Sequence, residues 1–286
     1  MMSKVKIIEC PRDAMQGLNY FVPTEIKLKY LNLLLEVGFD TLDFGSFVSA
    51  KAIPQLRDTH QITRLLESKS SPTKLLAIVA NERGAQEAVE HKVIDYLGYP
   101  FSISETFQMR NTNSNLEQSF ERVKRIMDIV SKHDKDLILY ISMAFGNPYG
   151  DPWNSDIISF WLDKLRVLSC KTIALSDTIG VATPESISYI FSHLIPVYTE
   201  MEFGAHFHTL PNAWEEKIQA AYDSGCRRFD GAIKGYGGCP MAKDVLTGNM
   251  PTEHIIDFFY RQNEETGIKK ERFDEAMMFS SKVFTH

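Results

Sequence analysis

The feature that most constrains the fold of this chain is a regular alternation of short β-branched or aromatic runs with longer amphipathic stretches. Eight such runs predict strands, at residues 5–10, 41–47, 74–80, 93–99, 137–144, 172–177, 203–209 and 228–233. Helical spacing of apolar residues predicts helices at 24–37, ended by Gly38, and at 117–132, 184–194 and 213–224. Since no linker-like tract interrupts the pattern, we expect one (β/α)8 barrel domain over residues 1–286. An open doubly wound sheet is the alternative if one strand, above all 93–99, is overcounted.

The composition of the chain limits the classes of partner that it can bind. Its 286 residues are 44% hydrophobic and 24% charged, with a formal net charge of −6 and no basic cluster, which argues against nucleic acid. The N-terminus has no signal-peptide core and no run approaches eighteen apolar residues, so we expect no membrane association and a cytoplasmic location. Four widely spaced cysteines are expected to be reduced: Cys10, Cys170, Cys226 and Cys239.

The sharpest chemical signal is His206-Phe207-His208 on the seventh predicted strand. Residues i and i+2 of a strand point to the same face, so both imidazoles project into one volume. Asp13, just after the first strand, adds a carboxylate at the same end of the barrel. Two histidines and a carboxylate suit a divalent cation such as Mg²⁺ or Mn²⁺, although a catalytic zinc or a hydrogen-bonded polar layer also remains open.

Three further polar residues lie at strand ends. Arg12 adjoins Asp13, and a guanidinium beside a cation suggests an anionic substrate; the alternative is a salt bridge to Asp43 or Glu9 that stiffens the barrel mouth. Asp43 is either a partner of this pair or a polar core residue. Asp177 either orients a ligand or caps the following helix.

A glycine-rich loop follows the last predicted strand and contains a single thiol. Gly235, Gly237 and Gly238 precede Cys239, so the backbone there can adopt positive φ and the side chain has little cover. Such a cysteine is a candidate for chemistry, and we place a catalytic loop at about 233–250. A terminal helical segment is expected at about 270–286.

Several motifs, taken in order, identify the chain as resembling one family. "CPRDAMQG", "DFGSFVSAKAIPQLRD", "LSDTIGVATP", "AHFHT" and "GYGGCPMA" with "TGNMPTE" resemble the 3-hydroxy-3-methylglutaryl-CoA lyases, relatives of the isopropylmalate and citramalate synthases. The resemblance covers nearly the whole chain. It implies a metal-dependent barrel that cleaves an acyl-CoA substrate into acetyl-CoA and acetoacetate, and it suggests a homodimer.

The resemblance also implies roles for individual residues. The divalent cation, Mg²⁺ or Mn²⁺, would be held by Asp13, His206, His208 and Asn249. Arg12 would neutralise the thioester oxygen as it becomes an enolate, and Cys239 would transfer the proton. Glu253 would support the loop. Positions that line or brace the site are Gln16, Asp43, Asp177 and, in a block less directly tied to substrate, Asn111.

The chain departs from the family pattern at the histidine pair, at position 43 and after Cys239. Thr209 follows the histidines where the family has Asp, and Asp43 stands where Glu is expected. The stretch from Cys239 to Asn249 is one residue longer. These departures keep open a different 3-hydroxy-3-alkylglutaryl-CoA substrate, a 2-oxo acid condensation or aldol reaction, and a divergent metal-binding barrel without enzyme activity.

Overall fold

Eight parallel strands alternate with helices and close on themselves. The structure is a computed structural model and describes residues 4–238 and 247–284; Cys239 therefore lies outside the described residues. The strands are β1 Lys6–Glu9, β2 Thr41–Ser46, β3 Lys74–Ile78, β4 Tyr96–Ser102, β5 Asp136–Ser142, β6 Thr172–Asp177, β7 Glu202–Thr209 and β8 Arg228–Gly231. Each pairs in parallel with the next, and β8 pairs with β1. The predicted (β/α)8 barrel is confirmed, and the open sheet is wrong.

Helices connect these strands and, apart from α1 at the barrel mouth, surround them. They are α1 Pro11–Gln16, α2 Thr24–Val37, α3 Thr59–Leu65, α4 Glu82–Val89, α5 Glu105–Thr112, α6 Leu116–Ser131, α7 Ser155–Val167, α8 Pro184–Leu194, α9 Trp214–Asp223, α10 Thr252–Arg261 and α11 Lys270–Phe284. A two-residue strand, β9 Gly248–Asn249, pairs antiparallel with the end of β7. Gly38 ends α2 with φ +97°, as its position in the sequence predicts. None of the helices in the described ranges is long and apolar enough to cross a membrane.

The fourth strand lies three residues later than predicted. Its pairing with β5 runs from Tyr96 opposite Asp136 to Ser102 opposite Ser142 and passes through Pro100. The apolar residue Ile94, inside the predicted run, is buried in the connection before the strand. A buried loop residue and a buried strand residue give the same apolar pattern in the sequence. The predicted strand 93–99 therefore begins three residues too early.

The barrel interior contains an apolar layer, with polar side chains nearer the carboxyl ends of the strands. One cluster of buried apolar side chains fills the lumen between β3, β5 and β6: Leu76, Ile78, Ile138, Tyr140 and Ala174. Histidine and carboxylate side chains lie toward the carboxyl ends of the strands. Because that end is the functional face of barrels of this kind, the fold brings separate polar residues to one place.

The terminal helix α11 packs beside α2 and the segment after β8. The Tyr30 ring stacks on Phe279 with centroids 6.4 Å apart and meets Phe284 edge-on at 6.0 Å. Phe284 also stacks on Tyr236, with ring centroids 4.4 Å apart. Helical structure at the predicted terminal segment is confirmed as far as Phe284, and it supports the backbone that leads to the glycine loop.

Candidate metal centre and active site

Arg12 and Asp13 are placed by α1, a short helix that starts directly after β1 with Pro11 in its first turn. The Nε and Nη2 atoms of Arg12 donate to Asp43 on β2, the shortest contact being 2.6 Å. Its Nη1 donates to Asp13 Oδ1 at 2.9 Å and to Gln16 Oε1 at 2.8 Å. Gln16 in turn donates to Asp13 Oδ1 at 2.9 Å. The four predicted residues therefore form one network, in which Arg12, Asp13 and Asp43 are buried and Gln16 is half-buried.

The charges of this network are mutually dependent. Burial alone would lower the pKa of Arg12, but Asp43 and Asp13 outweigh it and hold the guanidinium charged. Burial likewise opposes the charge of Asp13, yet Arg12 and the histidines hold its pKa well below the usual range. For Asp43, burial dominates and raises the pKa to about 6 despite Arg12. Asp13 is thus an ionised carboxylate ready to bind a cation.

The two histidines of β7 face the same space as Asp13. Ligand atoms of Asp13, His206 and His208 all lie within 4.8 Å of one another. His206 Nδ1 is 3.1 Å from Asp230 Oδ2, and His208 Nδ1 is 2.7 Å from the carbonyl oxygen of Thr178. An acceptor at each Nδ1 assigns the proton to that nitrogen and leaves the Nε2 lone pair for a ligand. Strand periodicity therefore predicted the convergence of the histidines.

These residues fit a divalent cation. Among the residues that the structure describes, His208 Nε2 is buried without a hydrogen-bond partner, and it lies 3.9 Å from Asp13 Oδ2. Asn249 on β9 sits opposite His208 in the antiparallel pairing, and its Nδ2 donates to the Tyr236 carbonyl at 2.8 Å. A buried nitrogen lone pair without a donor costs free energy unless something occupies it. Carboxylate, imidazole and amide oxygen form a donor set suited to a hard or borderline cation.

A second group of possible ligands shares His206. Cys10, His206 and Asp230 also bring ligand atoms within 4.8 Å of one another. Burial, together with neighbouring carboxylates, raises the pKa of the Cys10 thiol well above its usual value. A thiol that stays protonated is a poor metal ligand, so the Asp13 group is the stronger candidate. Cys10, Cys170 and Cys226 are free, as expected for reduced thiols.

Asp177, Glu253 and Asn111 are placed differently. Asp177 Oδ1 accepts from the Val181 backbone N–H at 2.8 Å, so it braces the turn after β6; the cap of α8 is Thr183 instead. Glu253 Oε2 accepts from the backbone N–H of Lys234 at 2.9 Å, in the segment that leads toward the glycine loop. Asn111 is exposed on α5, and no hydrogen bond among the described residues connects it to the Arg12 network.

The sequence did not reveal the residues that orient the imidazole rings of the two histidines through their Nδ1 atoms. Asp230 and the Thr178 carbonyl fix the histidines, so Thr209, whose hydroxyl donates to the Leu210 carbonyl, is not needed for that purpose. Glu9 does not contact Arg12; its carboxyl accepts from Ile233 N–H at 2.9 Å and from Thr252 Oγ1 at 2.5 Å. Asp230 and Glu9 are acidic residues inside largely apolar strand runs, and this was the only sequence signal that could have pointed to them.

Comparisons with known proteins agree on one group of relatives. The HMGL-like family model matches residues 4–279. The chain is 30% identical over 283 residues to the cytoplasmic 3-hydroxy-3-methylglutaryl-CoA lyase of Danio rerio, covering 98% of this chain and 83% of that protein. It is 28% identical over 274 residues to the hydroxymethylglutaryl-CoA lyase of Bacillus subtilis, covering 96% of this chain and 91% of the relative.

Solved structures give the same picture. The HMG-CoA lyase from Brucella melitensis superposes with a TM-score of 0.92 at 26% identity, covering 99% of this chain and 100% of that one. An HMG-CoA lyase from Acinetobacter baumannii, in complex with coenzyme A and 3-methylmalate, gives a TM-score of 0.91 at 28% identity and covers 100% and 94% of the two chains.

Proposed function

The chain belongs to the HMGL-like family of carbon–carbon lyases, as its motifs predicted, and we propose that it cleaves 3-hydroxy-3-methylglutaryl-CoA into acetyl-CoA and acetoacetate. The observation that carries the proposal is the convergence of Asp13, His206 and His208 beside the buried Arg12 at the mouth of the barrel. Near-full-length similarity to lyases of this name supports the substrate.

The reaction breaks the C2–C3 bond of the substrate. A base removes the proton of the C3 hydroxyl, C3 becomes the ketone carbon of acetoacetate, and the bonding electron pair passes to C2 to form the acetyl-CoA enolate. One proton delivered to C2 completes acetyl-CoA. Asp13, His206, His208 and Asn249 would hold Mg²⁺ or Mn²⁺, and a divalent cation bound there would lower the pKa of the C3 hydroxyl.

Arg12 is suited to stabilise the enolate oxygen. A guanidinium has five N–H donors, and the contacts of Arg12 use Nε, both hydrogens of Nη1 and one of Nη2. No acceptor among the described residues takes the second Nη2 hydrogen, which leaves it for substrate. Because Asp43 and Gln16 hold the group rigidly, it needs no reorganisation as negative charge develops on the thioester oxygen.

Cys239 is our candidate for the proton donor to C2. It directly follows Gly238, and the preceding Gly237 has φ +85° and approaches α1 so closely that a Cβ there would lie 2.7 Å from Ala14 Cα. This close approach to the helix bearing Asp13 supports a thiol that reaches the substrate. Glu253, through the Lys234 N–H, would support the loop, while Asp177 would brace the neighbouring turn and Asn111 would contribute a more peripheral substrate contact.

The test is acetoacetate release by the purified protein with Mn²⁺ or Mg²⁺, measured across several acyl-CoA thioesters. We expect turnover of 3-hydroxy-3-methylglutaryl-CoA, its loss in Cys239→Ala with metal content unchanged, and its retention in the matched control Cys170→Ala, which alters a buried thiol away from the site. Cleavage of only a longer 3-hydroxy-3-alkylglutaryl-CoA would refute the substrate and keep the reaction class. Metal binding without turnover of any thioester would support a divergent binding barrel.

We also propose how the substrate is bound, an oligomeric state and a location. We expect an acyl-CoA substrate to be gripped at the barrel mouth, since a structural relative was solved with coenzyme A. A homodimer and a cytoplasmic location complete the proposal. Light scattering of the purified protein tests the dimer, and cell fractionation tests the location.

A further inference from the structure

Lys217 on α9 is a buried lysine that no sequence motif singles out. Only 3% of the residue is exposed. Its Nζ donates to Asp177 Oδ2 at 2.7 Å, to the His208 carbonyl at 3.0 Å and to the Gly180 carbonyl at 3.2 Å. The three donors of the ammonium are therefore all used, which is what a buried charge requires.

One of the three acceptors is the backbone carbonyl of His208, a candidate metal ligand, and the other two belong to the segment beside it. Asp177 ends β6, Gly180 lies in the turn that follows, and His208 is on the neighbouring strand β7. That same turn supplies the Thr178 carbonyl, which accepts from His208 Nδ1 at 2.7 Å. Lys217 therefore joins the backbone of His208 to the turn that orients its imidazole ring.

The turn also touches the other ligand-bearing segment. Gly180 has φ +74°, and a Cβ at this position would lie 2.6 Å from Cγ2 of Thr247, two residues before Asn249. The turn therefore packs against the residue that precedes β9, so a displaced turn would press on that segment. The position of the turn thus affects both His208 and Asn249.

We propose that Lys217 is a positioning residue for the metal centre: its ammonium holds the turn 177–181 against β7 so that His208 Nε2 faces the cation site. This inference rests on the proposed metal-dependent function. Residues that orient a metal-bound histidine typically contribute 10–100-fold to metal affinity. Thr209 donates to the Leu210 carbonyl and so does not contact His208. The ion pair of Lys217 and Asp177 is instead the charged contact that supports the backbone of His208.

The chain offers a matched control. Lys27 on α2 is also fully buried, and its Nζ donates to Asp58 Oδ1 at 2.7 Å and to the backbone carbonyl of Gln55. Lys27→Met removes a buried lysine–aspartate pair with the same 2.7 Å Nζ–oxygen distance on the outside of the barrel. Comparing it with Lys217→Met separates loss of a buried ion pair from loss of ligand positioning.

The experiment is a Mn²⁺ titration of the full chain, followed by electron paramagnetic resonance, with circular dichroism and melting temperature measured on the same samples. We expect Lys217→Met to weaken Mn²⁺ binding at least tenfold while Lys27→Met stays within twofold of the wild type, although both melt at lower temperature. Folded Lys217→Met protein with wild-type Mn²⁺ affinity would overturn the proposal.

A second variant covers the case in which Lys217→Met does not fold. Asp177→Asn combined with Lys217→Met removes both charges and leaves no uncompensated buried carboxylate. It should show the same loss of Mn²⁺ affinity, and wild-type affinity would refute the idea. Wild-type protein that binds no Mn²⁺ overturns it as well, whereas Mn²⁺ binding without thioester cleavage refutes the proposed function alone.

Discussion

Replacing Glu9 by Gln should stabilise the protein at neutral and higher pH. Glu9 is fully buried on β1, and burial raises the pKa of its carboxyl from 4.5 to about 8, against the effect of its hydrogen bonds from Thr252 and Ile233. The carboxyl is therefore neutral in the folded protein at pH 7 but ionised in the unfolded chain. A neutral amide of the same shape avoids this difference, since its oxygen can accept from Ile233 N–H and its NH2 can donate to the Thr252 hydroxyl.

The sign and size follow from the pKa in the two states. An acid whose folded-state pKa is raised contributes most stability below its unfolded pKa, and that contribution is lost as pH rises from about 4.5 to about 8. At about 1.4 kcal/mol for each unit, the wild type should lose several kcal/mol, on the order of 5, from this group over that range. The Gln variant should not show this loss.

The assay is urea unfolding of the metal-free protein at several pH values between 4.5 and 8.5, followed by circular dichroism. The free energies of unfolding of wild type and Glu9→Gln should diverge as pH rises, with the variant more stable at pH 8. Glu121→Gln, on the exposed side of α6, is the matched control. Parallel wild-type and Glu9→Gln profiles across the whole range would refute the reasoning.

Three further predictions concern the site. Asp13→Ala should lose both Mn²⁺ binding and turnover because it removes a charged ligand, and metal analysis together with the acetoacetate assay checks this. Arg12→Met should keep bound Mn²⁺ but lower kcat at least a hundredfold, since it removes stabilisation of the enolate oxygen; an unchanged kcat would contradict that role. Asp230→Asn should weaken Mn²⁺ binding about 10–100-fold by disturbing the Nδ1 hydrogen bond of His206, and calorimetric titration against wild type would reveal an unaltered affinity if the idea is wrong.

Local sequence patterns predicted most of the secondary structure and the convergence of the two histidines on β7. Helix α8 begins and ends at the predicted residues. Its start is fixed by local interactions, since Thr183 caps the first turn and Pro184 occupies the first helical position. Strand β4 was displaced because a buried loop residue such as Ile94 resembles a strand residue. His206 and His208 were found because a two-residue spacing on a strand has one geometric meaning.

Other parts of the site depend on distant pairings. Asp43 is 31 positions from Arg12, and only closure of β1 beside β2 brings the carboxylate to the guanidinium. Arg12 could therefore be read as substrate-binding or as a stiffening salt bridge, and the structure shows it bonded to Asp43. Glu9, named as an alternative partner of Arg12, instead holds the start of the segment after β8. Whether Asp43 or Glu9 contacts Arg12 depends on the direction in which each side chain points, and the sequence does not specify that direction.

The sequence by itself determined the barrel, the family and the residue types of the proposed metal centre, because strand periodicity, capping and contiguous motifs are local properties. Tertiary structure alone decided which groups orient those residues: Asp230 and the Thr178 carbonyl behind the histidines, and Lys217 from a helix outside the barrel. These contacts join residues from separate strands, turns and helices. Their partners are selected by burial, since a buried charge or imidazole must find a hydrogen bond wherever the fold supplies one.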